Sequence, residues 1–472
     1  MNIGELVSAT ASLERSRLER RYAEIRQVYL SDDRPWVIGY SGGKDSTTAL
    51  QLIWYALAAL PSERLSKPIY VISSDTLVET PKIVDYVDES LKRINDSANR
   101  LGLPFEAHKV SPNIKDSFWV NLIGRGYPAP SNKFRWCTER LKIDPANKFI
   151  LDQVAKHGEV VVVLGVRTSE SATRAQVMSL HKIANSTLSR HTTLPNAYVY
   201  TPIEDFTVNE VWTYLLQLKS PWGNENRDLV TLYRNAQAGE CPLVVDKTTP
   251  SCGNSRFGCW VCTVVSRDSS MEALIDNGED WMEPLLDFRN RLAETQDPVI
   301  KRQVRQFKRR NGRVAYTANG KLIPGPYKPE FRRQLLRELL GVQKRITASG
   351  ELDSLISKSE LEEIRRIWRT EEQDWEDSVP RIFKEVMGYH LEWLADEAPV
   401  FGEEDRKTLE LICTQVGVSG AMVAKLLDVE REFHAMTRRS SVHQRIAAVL
   451  EEEWRTNDEI ASCETEDTDD SE

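Results

Sequence analysis

Between residues 36 and 201, short apolar-rich runs alternate with longer stretches whose apolar positions recur every three to four residues. The runs 36–40, 69–73, 105–110, 160–166 and 198–201 have the length and β-branched or aromatic content of buried strands. The stretches 47–59, 80–101 and 144–156 read as helices. This alternation predicts an α/β domain with a doubly wound, mostly parallel sheet, whose ligands bind at the carboxyl ends of the strands. Residues 1–30 are expected to form a helix packed on that domain, with Ile3, Leu6, Leu13, Leu18, Tyr22, Ile25 and Tyr29 as its apolar positions. Residues 204–220 read as helix, 221–265 as irregular and Cys-rich, and 266–300 as helix again. The predicted organisation is an N-terminal helix (1–30), a nucleotide domain (31–235), a Cys-rich insertion (236–265), a helical and basic region (266–350), an acidic helical region (351–460) and a disordered acidic tail (461–472).

Composition narrows the class. The 472 residues are 40% apolar and 28% charged, which excludes collagen-like and wholly disordered chains. No apolar run is long enough for a membrane span, and charges throughout the first 22 residues leave no signal-peptide core. A cytosolic location is the expectation, and disulfides are not expected there. The seven Cys are then core thiols, metal ligands or catalytic thiols. A net charge of −9 seen as an average argues against a nucleic-acid partner, but the charge is segregated. Residues 301–345 hold 14 Lys/Arg and 2 Glu, a net of +12; residues 346–472 hold 14 Lys/Arg and 32 Asp/Glu, a net of −18.

The strand at 36–40 runs into Ser41-Gly42-Gly43-Lys44-Asp45-Ser46, which opens a helix. Two glycines let the backbone approach an anion, the helix N-terminus offers free N–H groups, and Ser41, Ser46 and Lys44 add hydroxyls and a positive charge. It is not a Walker A loop, which needs Gly-x4-Gly-Lys-Ser/Thr. The string resembles the pyrophosphate loop (PP-loop) of the N-type ATP pyrophosphatases, whose fold is the adenine nucleotide alpha hydrolase-like α/β sheet. The resemblance implies cleavage of ATP between its α- and β-phosphates. Ser41, Gly42, Gly43, Lys44, Asp45 and Ser46 would hold the leaving pyrophosphate, and Asp45 would position Mg²⁺ or the loop. Asp75-Thr76-Leu77-Val78-Glu79-Thr80-Pro81 and Gly165-Val166-Arg167-x-x-Glu170-Ser171-x-x-Arg174 resemble two motifs of the phosphoadenylylsulfate reductase branch. Asp75 can take Mg²⁺ or a ribose hydroxyl, or serve only as part of a helix start. Arg167 and Arg174, beside Gly165, suit phosphate neutralisation.

Cys137 lies among Arg135, Arg140 and Lys142, cations that favour a thiolate. A similar Trp-Cys-Thr segment in the reductase branch leaves two functional readings, sulfur carrier or cluster ligand, beside that of a packed thiol. Cys241, Cys252, Cys259 and Cys262 fall within 22 residues of loop, a set suited to Zn²⁺ or an iron–sulfur cluster. The stretch from Gly239 to Cys262 resembles the DndC family, sulfurtransferases of bacterial DNA phosphorothioation. The resemblance implies a 4Fe–4S cluster on these four Cys, sulfur from a cysteine desulfurase, and partner Dnd proteins that supply ATPase and DNA-handling functions. DNA is then the substrate, and Arg305, Lys308, Arg309, Arg310 and Arg313 of the basic stretch are candidate phosphate contacts, with Phe307, Tyr316 and Tyr327 placed to stack on bases. Pairing of that stretch with the acidic C-terminal region is the competing expectation. Cys413 and Cys463 read as bystanders. The alternatives in function are a related enzyme that thiolates tRNA or reduces an adenylylated sulfate, and an ATP-binding scaffold in a defence complex.

Overall fold

The computed structural model describes residues 15–170, 176, 179–184, 186–236, 258–394, 401–434 and 440–461. They divide into two compact units, Met1–Asn113 with Pro130–Leu286, and Ile114–Ala129 with Asp287–Glu472.

The first unit is built on a six-stranded sheet: β1 (Trp36–Gly39), β2 (Ile69–Ser74), β3 (Phe105–Val110), β4 (Val160–Val163), β5 (Ser189–Arg190) and β6 (Ala197–Tyr200), in the spatial order β3-β2-β1-β4-β6-β5. All neighbours pair in parallel except β5 and β6. Alternation sorts the core into two layers, because successive side chains of a strand point to opposite faces. On one face Trp36, Ile38, Val161 and Val163 pack with helices α1 (Arg15–Leu30), α2 (Lys44–Ala58) and α3 (Pro81–Leu101). On the other, Val37, Val160 and Val162 pack with Ala146 and Ile150 of α4 (Asp144–His157). The four valines of β4 are all buried, as expected of a central parallel strand covered on both sides. Trp54 of α2 stacks on Phe105 with ring centroids 4.5 Å apart and meets Trp222 edge-on.

The α/β class and the doubly wound sheet agree with the sequence reading, and three details differ. The strand expected over 160–166 ends at Val163, where Gly165 begins a turn. Helix α5 (Val208–Gln217) starts later than expected, at a capping box in which Thr207 accepts from the Glu210 N–H. Helix α6 (Asn226–Ala236) lies inside the span read as irregular. Its first residue, Asn226, is buried and tied to Gln51 and the carbonyls of Leu215 and Leu218, a tertiary anchor that periodicity does not report. The unit continues through α7 (Ser269–Asp276).

The second unit is helical: α8 (Glu283–Glu294) leads into it, followed by α9 (Pro298–Val304), α10 (Pro329–Ser349), α11 (Lys358–Glu371), α12 (Ser378–Met387), α13 (Glu403–Val416), α14 (Gly420–His434) and α15 (Val442–Leu450). The segment Ile114–Ala129 is threaded through it. Trp119 donates to the Leu355 carbonyl, Trp368 to that of Ile123, and the buried Arg332 to that of Gly124. Among the described residues no helix is long and apolar enough to cross a membrane.

His191, in the turn between β5 and β6, gives the first unit a pH dependence. Its Nδ1 accepts the N–H groups of Thr193 and Leu194. Burial, with the nearby His181, pulls its pKa from 6.5 down to about 4. The neutral ring is the native form, so its stabilisation is present above pH 6.5 and is lost as pH falls through 4. Over that interval the term amounts to about 3 kcal/mol. His191→Asn keeps an acceptor and cannot titrate. Denaturant unfolding from pH 7 to 4 is expected to show a smaller loss of stability in the variant than in the wild-type chain.

Candidate active site

Strand order reverses at β1, which has β2 on one side and β4 on the other, and the crevice at the carboxyl ends of β1 and β4 is the switch point where such sheets bind ligands. The loop of residues 41–43 fills it. Gly42 has φ of +69° and its Cα faces Tyr86 and Val87, so a side chain there meets both strain and crowding. The Ser46 hydroxyl accepts from the Ser41 N–H, contacts the Ser41 hydroxyl at 2.8 Å and bonds the Gly43 carbonyl, while the Gly43 N–H donates to the Ser41 hydroxyl. The loop is therefore held by its own serines before any anion contributes.

At the start of α2, Asp45 is almost wholly buried between two cations. Lys44 Nζ lies 2.9 Å from Oδ2, and Arg167 Nε lies 2.7 Å from Oδ1. The three side chains are 3–7% exposed. Arg167 also donates to the Ser169 hydroxyl and pairs with Glu170. The contact between the two strand ends requires Gly165, where an added Cβ would lie 2.6 Å from the Asp45 carbonyl oxygen. Lys44, Asp45, Arg167 and Gly165, assigned separately along the sequence, are thus one cluster. Arg174 lies outside the described residues.

Beside the loop is an open cleft, lined in part by Ser41, Gly42, Gly43, Asp75, Glu79 and Lys142. Asp75 caps the turn after β2 by accepting from the Leu77 N–H, and its other oxygen lies 3.4 Å from Lys109, which also holds Asp88 at 2.7 Å. Lys109 carried no signal in the sequence because it lies within a strand with no motif around it. Glu79 and Lys142 were noticed there only as a motif residue and a flanking cation.

The cysteine segment joins this cleft through backbone pairing. The Thr80 N–H donates to the Gly258 carbonyl, the Trp260 N–H donates to that of Val78, and Glu79 pairs antiparallel with Cys259. Cys259 Sγ is 3.2 Å from the Thr76 hydroxyl and donates to Glu79 Oε1 at 3.7 Å. Lys142 reaches the same Glu79 oxygen at 3.2 Å. Burial, reinforced by the Glu79 carboxylate, pushes the Cys259 thiol well up, with Lys142 and the Thr76 hydroxyl acting in the opposite direction. Cys262 follows in a tight turn whose N–H donates to the Cys259 carbonyl. These two thiols fit one edge of a thiolate set, in which bound metal would displace the thiol proton. Cys241 and Cys252 lie outside the described residues, and among the described residues no three His, Cys, Asp or Glu side chains form a metal site. Cys137 precedes the wide helical turn Thr138–Ile143 that delivers Lys142 to Glu79. Cys413 is buried.

In the second unit, Arg305 donates to the carbonyls of Gly325 and Pro324, and burial lowers its pKa to about 10. It holds a backbone turn rather than facing solvent. Lys308 pairs with Glu452 over the Trp454 ring, Arg310 reaches the Tyr127 hydroxyl and Glu371, and Arg313 faces Glu451 at 3.7 Å. Arg309 is exposed with no side-chain partner among the described residues. Phe307 and Tyr327, expected to be free for base stacking, are core residues, 5% and 0% exposed. Tyr327 is fixed through its hydroxyl to Thr295 and the Ala129 N–H, whereas Tyr316 is exposed.

Residues 35–265 match the family model described as phosphoadenosine phosphosulfate reductase domain. The uncharacterized protein MJ0066 of Methanocaldococcus jannaschii is 29% identical over 238 residues, which is 50% of this chain and 38% of that protein. The chain therefore spans well under half the length of that relative. Among solved structures, the U34-tRNA thiolase NcsA from Methanococcus maripaludis, with its 4Fe–4S cluster, aligns with a TM-score of 0.29 at 14% identity, covering 47% of this chain and 74% of that one. Candida glabrata FMN adenylyltransferase, in complex with FAD and inorganic pyrophosphate, aligns with a TM-score of 0.26 at 13% identity, covering 45% and 62%. The likeness to the phosphoadenosine phosphosulfate reductase domain family thus covers residues 35–265, just under half of the chain.

The close approach at Gly165 is directly testable. Gly165→Ala forces a Cβ into the Asp45 backbone, and overpacking of this kind costs about 1–3 kcal/mol. The variant is expected to melt earlier and to lose most of its ATP affinity in calorimetric titration. Gly341→Ala, in α10 with no atom within 4 Å of the added Cβ, serves as the neutral control.

Proposed function

We propose that the chain is an ATP-dependent sulfurtransferase that adenylates a DNA phosphodiester oxygen, releases pyrophosphate and replaces that oxygen with sulfur, giving phosphorothioate DNA. The observation that carries the sulfur-transfer reading is the shared wall. Glu79 and Gly258 line the nucleotide cleft and also hold the Cys259 segment, so the cysteine segment is anchored on the wall of that cleft. The choice of DNA rests on the Gly239-to-Cys262 resemblance.

The chain's own residues supply the electrostatics. A phosphodiester oxygen is a poor leaving group, and its adenylation makes AMP the group that departs. The loop amides and Lys44 receive the β- and γ-phosphates, and Arg167 neutralises charge that builds as the α–β bond breaks. Asp45 keeps both cations oriented in the crevice. Asp75, on the cleft wall, is the carboxylate that would hold Mg²⁺. Glu79 fixes Lys142 and Cys259 on the opposite side. Cys137 is assigned as the sulfur carrier fed by a cysteine desulfurase, and Cys241, Cys252, Cys259 and Cys262 as the cluster ligands. Such a cluster would hold sulfide beside the adenylated substrate once an external two-electron reductant, such as a dithiol, had released it from the Cys137 persulfide. Other Dnd proteins would present the DNA.

The same wall would serve thiolation of a tRNA base, where the adenylated oxygen is a base carbonyl. Oxidative cleavage of DNA from cells with and without the protein separates the two: cleavage only with the protein supports DNA, and intact DNA beside thiolated tRNA supports the second reading. Lys44→Ala is expected to lower ATP cleavage to AMP and pyrophosphate by at least about 10²-fold; unchanged pyrophosphate release would refute the catalytic assignment. Cys259→Ser is expected to yield colourless protein. Retention of the wild-type visible absorbance in that variant would remove Cys259 from the ligand set.

A further inference from the structure

The second unit contains a cleft larger than the one at the phosphate loop, with a volume of about 880 Å³. Eight cationic side chains and five carboxylates line it, and the carboxylates are already engaged. Glu452 holds Lys308 and Lys425; Glu371, Asp428 and Glu432 hold Arg310, Arg431 and Arg445. Glu372 is taken by the buried Arg332, which lies behind the wall. Three lining cations remain whose nearest contact with a lining carboxylate is that of Arg366 with Glu371, at 4.0 Å. Arg309 has no side-chain partner among the described residues. Arg366 pairs at 2.8 Å with Glu363, and Arg406 at 2.7 Å with Glu410, neither of which lines the cleft. Arg366 is 47% and Arg406 25% exposed, so donors of both forks remain open to solvent.

We propose that this cleft binds the sugar–phosphate backbone of DNA, with Arg309, Arg366 and Arg406 as its phosphate contacts. The identification of the polymer as DNA rests on the proposed function; the anionic, polymeric character rests on the cleft. Guanidinium forks from three separate segments, the turn after α9, α11 and α13, suit spaced phosphates better than one compact anion. At about 880 Å³ the cleft lies at the upper end of the range for small-ligand pockets, about 300–1,000 Å³, so the spread of the three arginines over separate segments, and not size, carries the polymeric reading. Its wall is polar and charged, with Trp454 covered by Lys308, which fits backbone contact more than base reading.

The test compares the full-length chain with Arg309→Ala/Arg366→Ala/Arg406→Ala and with a control of equal charge loss, Lys92→Ala/Arg93→Ala/Arg100→Ala, on the exposed face of α3. Binding of a short DNA duplex is measured across a salt series, with thermal melting to verify folding. The cleft variant is expected to bind at least about tenfold more weakly, and its log K against log salt slope to be shallower by about 2.7, the value for three lost phosphate contacts. The control variant is expected to keep the wild-type slope. Arg→Lys at the three positions is expected to restore most of the slope, because a point charge suffices for a phosphate. An unchanged slope in the cleft variant, an equal loss in the control, displacement of the duplex by inorganic phosphate or ATP, or retention of tRNA but not DNA would each overturn the proposal. ATP cleavage by the wild-type chain is assayed in the same preparation. If ATP is cleaved and the cleft variant still holds DNA normally, the cleft inference alone falls. If ATP is not cleaved, the catalytic reading falls, and the salt slopes still judge the cleft.

Discussion

The pairing of Asp45 with both Lys44 and Arg167 is the interaction on which the site depends. A carboxylate this deeply buried is costly unless paired, and removing either partner from a buried pair leaves an uncompensated charge. Its two partners come from different places in the chain: Lys44 opens α2 after β1, and Arg167 follows β4. Holding them on one carboxylate ties the two strand ends together where the sheet reverses direction. Gly165 is a condition of that tie, because no side chain fits between the end of β4 and the Asp45 backbone. The phosphate loop is thereby fixed by the sheet beneath it and by the strand beside it. Cations pre-oriented in a water-poor crevice reorganise little when charge develops, which is how preorganised sites lower barriers.

A second dependency runs through Glu79. Its backbone pairs with Cys259, and its carboxylate meets Thr76, Cys259 and Lys142. Glu79, in the turn after β2, therefore joins its own turn to two distant stretches of sequence. The Cys259 thiol is held in its protonated form by burial and by this carboxylate, so thiol reactivity at this position is conditional on an added positive charge.

The strands, the loop and its Lys44–Asp45 pair were legible in the sequence because each is local: a buried apolar run, a glycine turn, a helix start. Arg167 was legible as a motif, but its partner was not, since an ion pair spanning 122 positions leaves no spacing to read. Lys109 was invisible for the same reason. The aromatics of the basic stretch misled, because composition cannot distinguish an exposed ring from one such as Tyr327, whose hydroxyl is buried against Thr295. Helix α6 was missed where a buried Asn226 replaced an ordinary periodic start. The failures share a cause: tertiary partners decided the outcome.

The charge pattern illustrates how far local counting goes. The +12 stretch and the acidic region after it belong to the same compact unit, and six of the fourteen cations pair with that region among the described residues. Arg332 meets Glu372, Arg333 meets Asp374, Arg337 meets Glu385, and Lys308 meets Glu452. The exposed ones, such as Arg337 with Glu385, contribute little stability each, about 0–1 kcal/mol. Their larger effect is on selection: by occupying part of the cations, the acidic helices leave fewer available to a ligand. A stretch of uniformly free Lys and Arg would attract any polyanion along its whole length. With part of that charge spent internally, attraction concentrates where cations outnumber carboxylates, and geometry as well as net charge sets what the unit can hold.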